Sequence, residues 1–336
     1  MATIDDVAQQ AGVSRSTVSY ALSGKRPISS DTRRRIERAI ESLDYRPHAG
    51  ARALASSRTG VVGLMAPLRT GVDVNVIMQF VAGVVSAATA ASHDVLMVTQ
   101  EEGVLERVAG TSMVDALVVM DIESDDRRIP VLAGLRQPAV LIGLPADPQG
   151  LSCVDLDFFQ TGGLAARHLL DLGHRRLALI GSPIEVVNRH TSYAERMTRG
   201  FVGACEAAGG SYLVIPTAAT VAGAQESVRF LMTMAPDVTA VVVHNEMALP
   251  HVIAALRTYG KEVPGDVSLV AVCPETTAVA QSPQITSVDI PTEAIGRAAV
   301  EMALGQLDHA APSQIRLLSP TLSDRSSTQS PAAPPA

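Results

Sequence analysis

Three short apolar stripes run through the first 45 residues, each in a polar background. Ile4, Val7, Ala8 and Ala11 stand at i, i+3, i+4 and i+7, one face of a helix, with Thr3 and Asp6 placed as a capping box ahead of it and Gly12 as its stop. Ser14 is placed to cap a second helix in which Val18, Ala21 and Leu22 point one way while Arg15, Ser16, Ser19 and Tyr20 occupy other faces. A third helix starts at Ser29 or Ser30, carries Asp31 in its first turn, and uses Ile36, Ile40 and Leu43 as its stripe, with Arg33, Arg34, Arg35 and Arg38 outside. Pro47 stops it, and the stretch Ala49 to Ala55 is too short to hold a helix alone in water.

After Gly60 the pattern changes. VVGLMAP, DVLMVT, DALVVMD and AVLIG read as buried parallel strands, with VIMQFVAGVVSAATAA as the crossover helix between the first two. LALIGS, YLVIPT, AVVVHN and SLVAVC repeat the rhythm, with GLAARHLLDLG and ESVRFLMTMA among the intervening helices. The pattern predicts an all-α helix-turn-helix head over residues 1–45, a hinge over 46–60, and an α/β body of two doubly wound subdomains over 61–328. A ligand of such a body binds outside the carboxyl ends of the strands, in the cleft between the subdomains. QSPAAPPA, residues 329–336, is too rich in Pro and Ala to pack and reads as a disordered tail.

Charge sharpens this division. The net charge of −7 conceals a basic front: residues 1–60 hold 10 Lys+Arg against 6 Asp+Glu, and residues 61–336 hold 17 against 28. A basic head on an acidic body is the footprint of nucleic-acid binding. Ser16, Thr17 and Ser19 are mediocre helix formers but suit phosphates and base edges. In a helix-turn-helix the second helix enters the major groove with its N-terminal residues at the bases, which gives Arg15 a guanine to read and Tyr20 a base or thymine methyl. The three cysteines (Cys153, Cys205, Cys273) make no CxxC pair, the N-terminus has no signal-peptide pattern, and no apolar run reaches ~18 residues. A cytoplasmic protein that crosses no membrane is expected. GxxxxGK[ST], GxGxxG, HExxH and a nucleophile elbow are all missing, so neither cofactor, metal nor catalytic residue is expected. His168 and His174 lie where a helix ends and a strand starts, positions that favour structural hydrogen bonds over metal ligation.

The runs TIDDVAQQAGVSRSTVSYALSG and ISSDTRRRIERAIESLDYRP resemble the DNA-binding head of the lactose-repressor (LacI/GalR) family of bacterial transcription regulators. The resemblance implies base-reading places for Arg15, Ser16 and Tyr20, and phosphate-meeting places for Thr3, Thr17, Ser19, Ser29 and Thr32. Many relatives have Arg where Tyr20 stands, a departure that bears on operator sequence and not on docking mode. The resemblance also implies a hinge helix that folds on DNA, pairs with its twin and wedges a leucine, here Leu54, into the minor groove. VDLDFFQTGGLAARHLLDLGHRRLALIG, HNEMALPHVIAAL, VPGDVSLVAV and PTLSDRSST extend it through the body, to about Thr328, and imply a periplasmic-binding-protein-like type I effector domain that dimerises.

Ligand positions depart from the family pattern. Sugar-responsive relatives carry an aspartate just after the strand SLVAV; here Cys273 stands there, followed by Pro274. The family arginine three residues before the glycine of ERMTRGF is Met197, flanked by Arg196 and Arg199. Asn245 and Glu246 keep their family places, and Asn245 is the first candidate for ligand contact, ahead of Glu246, Arg196, Asp121, Asp73 and the substituted Cys273. A pocket stripped of the aspartate and the arginine favours simple monosaccharides poorly. It suits a larger, less polar ligand, or an anionic one if Arg196 turns inward. The chain therefore reads as a ligand-responsive transcriptional regulator, in the first instance a repressor, that binds pseudo-palindromic double-stranded operator DNA as a homodimer or a tetramer and answers to a small-molecule effector. A solute-binding protein or an α/β enzyme would explain the body but not the first 60 residues.

Overall fold

A computed structural model of the protein describes residues 2–23, 26–45, 58–66, 68–69, 72–99, 103, 105, 113–307 and 311–332. The hinge and Leu54 lie outside the described residues, apart from 58–60.

The capping signals of the head are met. The Thr3 N–H donates to the Asp6 carboxylate at 2.8 Å and the Asp6 N–H to Thr3 Oγ1 at 3.3 Å, starting α1 (Ile4–Ala11), which Gly12 ends at φ +63°. Ser14 Oγ accepts the Thr17 N–H at 3.2 Å where α2 (Arg15–Ser23) begins, and Ser29 Oγ accepts the Thr32 N–H at 3.2 Å ahead of α3 (Ser30–Ser42). Val7, Ala8, Ala11, Val18, Ile36, Ala39 and Tyr45 form one small core, with Ile40 and Leu43 partly buried against it. So small a core leaves the outer face of α2 free of packing duty.

The body has two lobes. In the first, β1 (Val61–Met65), β2 (Asp94–Val98), β3 (Ala116–Val119), β4 (Ala139–Ile142), β5 (Ser152–Leu156) and β11 (Ile315–Leu318) form a parallel sheet in the order β11-β5-β4-β3-β1-β2. It is covered by α4 (Val74–Ala90), α5 (Ile129–Ala133) and α12 (Thr292–Leu307). In the second lobe, β6 (Arg176–Gly181), β7 (Ser211–Pro216), β8 (Ala240–Val243), β9 (Ser268–Cys273), β10 (Thr286–Asp289) and β12 (Leu322–Ser323) take the order β12-β10-β9-β8-β6-β7, with only β12 antiparallel. The helices packed on or beside this sheet are α6 (Phe158–Asp171), α7 (Ile184–Asn188), α8 (Ser192–Ala207), α9 (Val221–Met234), α10 (Leu249–Thr258) and α11 (Glu275–Val279). The chain crosses between lobes after β5, after β10 and between β11 and β12, as two sheets sharing three connections require.

Each lobe buries a close helix crossing. A Cβ on Gly83 of α4 would collide with the Glu293 carbonyl of α12, and one on Gly296 with the Phe80 carbonyl. Gly162 of α6 and Gly200 of α8 stand in the same relation to the Met197 and Phe159 carbonyls. Gly162 of TGGLAARHLLDLG therefore serves packing of helix on helix, whereas Gly173 ends the run at φ +102°. The entry into the body is fixed by Asp115, whose carboxylate accepts the N–H groups of Thr59 at 2.7 Å and Gly60 at 2.8 Å.

Two histidines tie the end of the chain down. His168 Nε2 meets Thr328 Oγ1 at 3.0 Å, and buried His174 meets Thr239 Oγ1 at 2.8 Å, Ser268 Oγ at 3.1 Å and the Gln329 carbonyl at 2.9 Å. Gln329, placed by composition in a disordered tail, is thus a fixed part of the second lobe. Its N–H also donates to Ser268 Oγ at 3.0 Å, and Pro331 lies against Gly173. Polar partners buried elsewhere in the chain overrode the local Pro and Ala bias.

Candidate DNA interface and ligand cavity

On α2, Arg15 and Ser16 are exposed at the helix N-terminus, where a groove-entering helix presents its reading residues. Arg15 keeps a loose ion pair with Asp5 at 3.7 Å, both side chains about two-thirds exposed, an interaction weak enough to give way to a base or phosphate. The hydroxyls proposed for phosphate are partly committed to the fold. Ser14 Oγ lies 2.8 Å from both Ser16 Oγ and Thr17 Oγ1, Ser29 Oγ lies 2.8 Å from Thr32 Oγ1, and Thr3 Oγ1 donates to Asp6 at 2.8 Å. Each can still accept or donate outward, since a hydroxyl has one donor and two acceptor sites. Ser19 and Tyr20 are half-buried, and the Arg26 guanidinium sits 5.3 Å from the Tyr20 ring centroid.

Between the lobes lies a cavity of about 990 Å³, counting its open mouth. Its walls come from the carboxyl ends of strands in both sheets: Ala66 after β1, Asp121 after β3, Gly143 after β4, Ser182 after β6 and His244 after β8. Helix α4 adds Ile77 and Phe80, the start of α6 adds Phe158, and α8 adds Tyr193. Phe158, Tyr193 and His244 pack mutually, with ring centroids 5.5 to 5.6 Å apart.

The acids around this cavity differ in what holds them. Asp121, at the left-handed φ of +56°, receives Arg189 from the second lobe at 2.8 Å and Arg69 from the first at 3.2 Å. Both arginines also reach Glu123, at 3.5 and 3.1 Å. Beside them the lobes are stitched by the Ser124 N–H donating to the His190 carbonyl at 2.8 Å and the Ser192 N–H to the Ile122 carbonyl at 3.0 Å. Asp155 is fully buried and paired with Arg196; burial pushes its carboxyl up to about 6, with the guanidinium opposing. Burial raises Glu246 to about 7, with Asp73 adding to the rise, and burial holds His244 down to about 4, neutral at physiological pH. Burial also raises the Tyr193 phenol.

Three of the sequence-read ligand candidates are placed differently from expectation. Arg196 does not line the cavity: it lies behind the wall, pinned to Asp155 and 5.7 Å from the Phe158 ring centroid, so it offers no cation to an anionic ligand. Cys273 is 1% exposed, closes the core of the second lobe, and is not a wall residue; burial raises its thiol. Asn245 does line the cavity, but its amide is committed to the turn, Nδ2 donating to the Thr217 carbonyl at 2.7 Å and Oδ1 accepting the Ala248 N–H at 3.1 Å. Asp73, Asp121 and Glu246 are wall residues, and Asp73 also caps α4 by accepting the Asn75 N–H at 2.8 Å. Met197, standing at the family arginine position, is fully buried core. The aromatic wall (Phe80, Phe158, Tyr193) and His244 are not among the sequence-read ligand contacts, although His244 is the first residue after a strand, the place where α/β ligands bind.

The fold agrees with those of known proteins. The family profile for "Bacterial regulatory proteins, lacI family" matches residues 3–48, and that for a "Periplasmic binding protein-like domain" matches residues 166–328. The chain is 30% identical over 335 residues to the HTH-type transcriptional regulator CelR of Thermobifida fusca, covering 94% of this chain and 95% of that one. A solved complex of transcriptional regulator CelR with cellobiose aligns at TM-score 0.68 and 28% identity over 97% of this chain and 100% of that chain. The Lac repressor dimer bound to operator and the anti-inducer ONPF shares the fold at TM-score 0.82 and 21% identity, covering 98% and 99%. With a helix-turn-helix head joined to a two-lobed body and a relative of this identity along nearly its whole length, the chain belongs to the lacI family of bacterial transcriptional regulators.

Proposed function

We propose that the protein is a cytoplasmic, non-enzymatic repressor that binds a pseudo-palindromic operator as a dimer and changes its hold on DNA when a small molecule enters the interlobe cavity. The observation that carries this reading is the junction of two devices in one chain: an exposed Arg15–Ser16 reading end on α2 and a cavity whose walls belong to both lobes. A ligand that touches both lobes binds their closed arrangement better than an open one, the differential affinity that any allosteric shift requires. Val74, Met78 and Val85 support a dimer, because they form one exposed apolar stripe on α4 that a partner would cover. Among the described residues no helix is long and apolar enough to cross a membrane.

In this reading Arg15, Ser16 and Tyr20 face bases; Thr3, Thr17, Ser19, Ser29 and Thr32 face phosphates; and Asp73, Asp121, Asn245 and Glu246 face the ligand. Arg15→Ala is expected to cost ~1–3 kcal/mol of operator affinity and to relax base choice at one position per half-site. Selecting bound genomic fragments with the wild type, then measuring both proteins on the selected site and on random DNA, checks it. Equal losses on the two DNAs would remove the base-reading role. Leu54→Ala is expected to leave the free dimer intact while weakening operator binding and reducing the bend, read by gel-shift and bend-angle assays; unchanged affinity and bend would make residues 46–60 a plain linker.

A further inference from the structure

We propose that the ligand of the interlobe cavity carries a protonated amine on a ring-shaped apolar body, with the amine seated between Glu246 and Asp73. This deepens the ligand-responsive reading above and rests on it.

Charge around the cavity makes the argument. Asp121, Glu123 and Asp155 are acids, and Arg69, Arg189 and Arg196 are their counter-charges, three against three. Glu246 and Asp73 remain. Among the described residues neither has an ion-pair partner, and none of the described wall residues is a Lys or Arg. Glu246 is half-buried in the cavity wall and feels Asp73, another wall residue, so two like charges look into one partly dry space. His244 is the remaining candidate to neutralise them from within. It is 5% exposed, faces the cavity and has no hydrogen-bond partner among the described residues, yet burial keeps it uncharged. Its ring nitrogens are therefore left to a ligand as neutral donor or acceptor.

A neutral polyol entering this space would leave both carboxylates without counter-charge while displacing the water that screens them. An anion would add a third like charge. An amine cation supplies the missing charge and donates to both carboxylates, and Phe80, Phe158 and Tyr193 provide flat faces for its ring, through stacking and cation–π contact. Burial and the Asp73 carboxylate at the start of α4 set the charge of Glu246; the other titratable groups beside it are the neutral Tyr193 and His244 in the cavity wall and the Cys273 thiol behind it.

The test uses the full-length protein and matched ring pairs that differ only in amine against alcohol: tyramine with 4-hydroxyphenethyl alcohol, tryptamine with tryptophol, and cyclohexylmethylamine with cyclohexylmethanol. Cellobiose is the neutral-sugar arm. Calorimetry at about pH 8 is expected to show the amine of at least one pair binding roughly tenfold or more tighter than its alcohol and than cellobiose. A carboxyl titrating at about 7 is charged above that pH and neutral below it, so the preference should shrink towards about pH 6, where these amines remain protonated. Glu246→Gln is expected to abolish the preference in a protein that still folds and binds operator, with its melting temperature at about pH 8 equal to or above that of the wild type because a carboxyl raised by burial is removed, and Asp73→Asn to reduce it. The proposal is overturned if no amine binds better than its alcohol, if cellobiose binds better than every amine, or if the preference survives in both variants. Operator release distinguishes the two readings. Release by cellobiose without any amine preference sinks this inference and leaves ligand response standing, whereas amine binding that never alters operator affinity does the reverse.

Discussion

Arg196→Ala should destabilise the body by roughly 3–5 kcal/mol, the cost of leaving one member of a buried ion pair without its partner. Asp155 is buried within β5, and the Arg196 side chain is itself only 13% exposed, so water cannot take over the lost role. The guanidinium also covers the Phe158 ring, so the substitution removes packing as well as charge. The sign with pH follows from the pair. Asp155 already titrates near 6, above its unfolded value of 3.8, and without Arg196 its folded value must rise further. A carboxyl raised on folding weakens the folded state as pH climbs through the interval from the unfolded to the folded value. The variant should therefore lose more stability between about pH 4 and 7 than the wild type does, and recover part of it on acidification. Urea unfolding of both proteins across this range reads the effect. A variant as stable as the wild type at neutral pH, with Phe158 still packed, would show that Asp155 carries no uncompensated charge.

That arginine also shows what the chain pattern can and cannot convey. The lobes were legible because parallel strands buried on both faces are continuous apolar runs, and VVGLMAP, AVVVHN and SLVAVC all became strands at their expected places. The head was legible because caps are local chemistry: Thr3, Ser14 and Ser29 each accept the N–H three residues on. Strands β5, β10 and β11 were passed over because SCVDL and TSVD carry polar residues, and IRLL lies at a sheet edge. Their Asp155 and Ser287 are matched by arginines distant in sequence, Arg196 and Arg325. Such pairing is invisible locally. The same holds for the ligand wall. Asn245 reads as an open amide until Thr217 and Ala248 are seen to occupy it, and Arg196 reads as a free cation until Asp155 is placed beside it. Side-chain type gives the chemistry available, but only the tertiary partner decides whether that chemistry is still free.

A pair of substitutions on one helix isolates the close crossing that sets the cavity wall. Gly200 and Gly203 both lie on α8, but a Cβ at Gly200 would strike the Phe159 backbone carbonyl of α6, while one at Gly203 meets nothing within 4 Å. Neither has a positive φ, so the helix itself tolerates alanine at both, and in an open position that exchange gains up to ~1 kcal/mol. Gly203→Ala should therefore be neutral or mildly stabilising. Gly200→Ala must push α6 and α8 apart against rigid backbone, a cost of roughly 1–3 kcal/mol that is not relieved by rotamer changes. The two alanines should thus differ by about 1–4 kcal/mol in denaturant unfolding. The consequence reaches the ligand, because Phe158 sits beside Phe159 at the start of α6 and Tyr193 at the start of α8, so separating the helices opens the contact between two rings of the wall. Gly200→Ala should weaken ligand binding while Gly203→Ala leaves it unchanged, and operator affinity in the absence of ligand should be the same in both folded proteins. Equal stability of the two variants would mean that α6 and α8 have room to part, and that Gly200 is not what holds the aromatic wall in place.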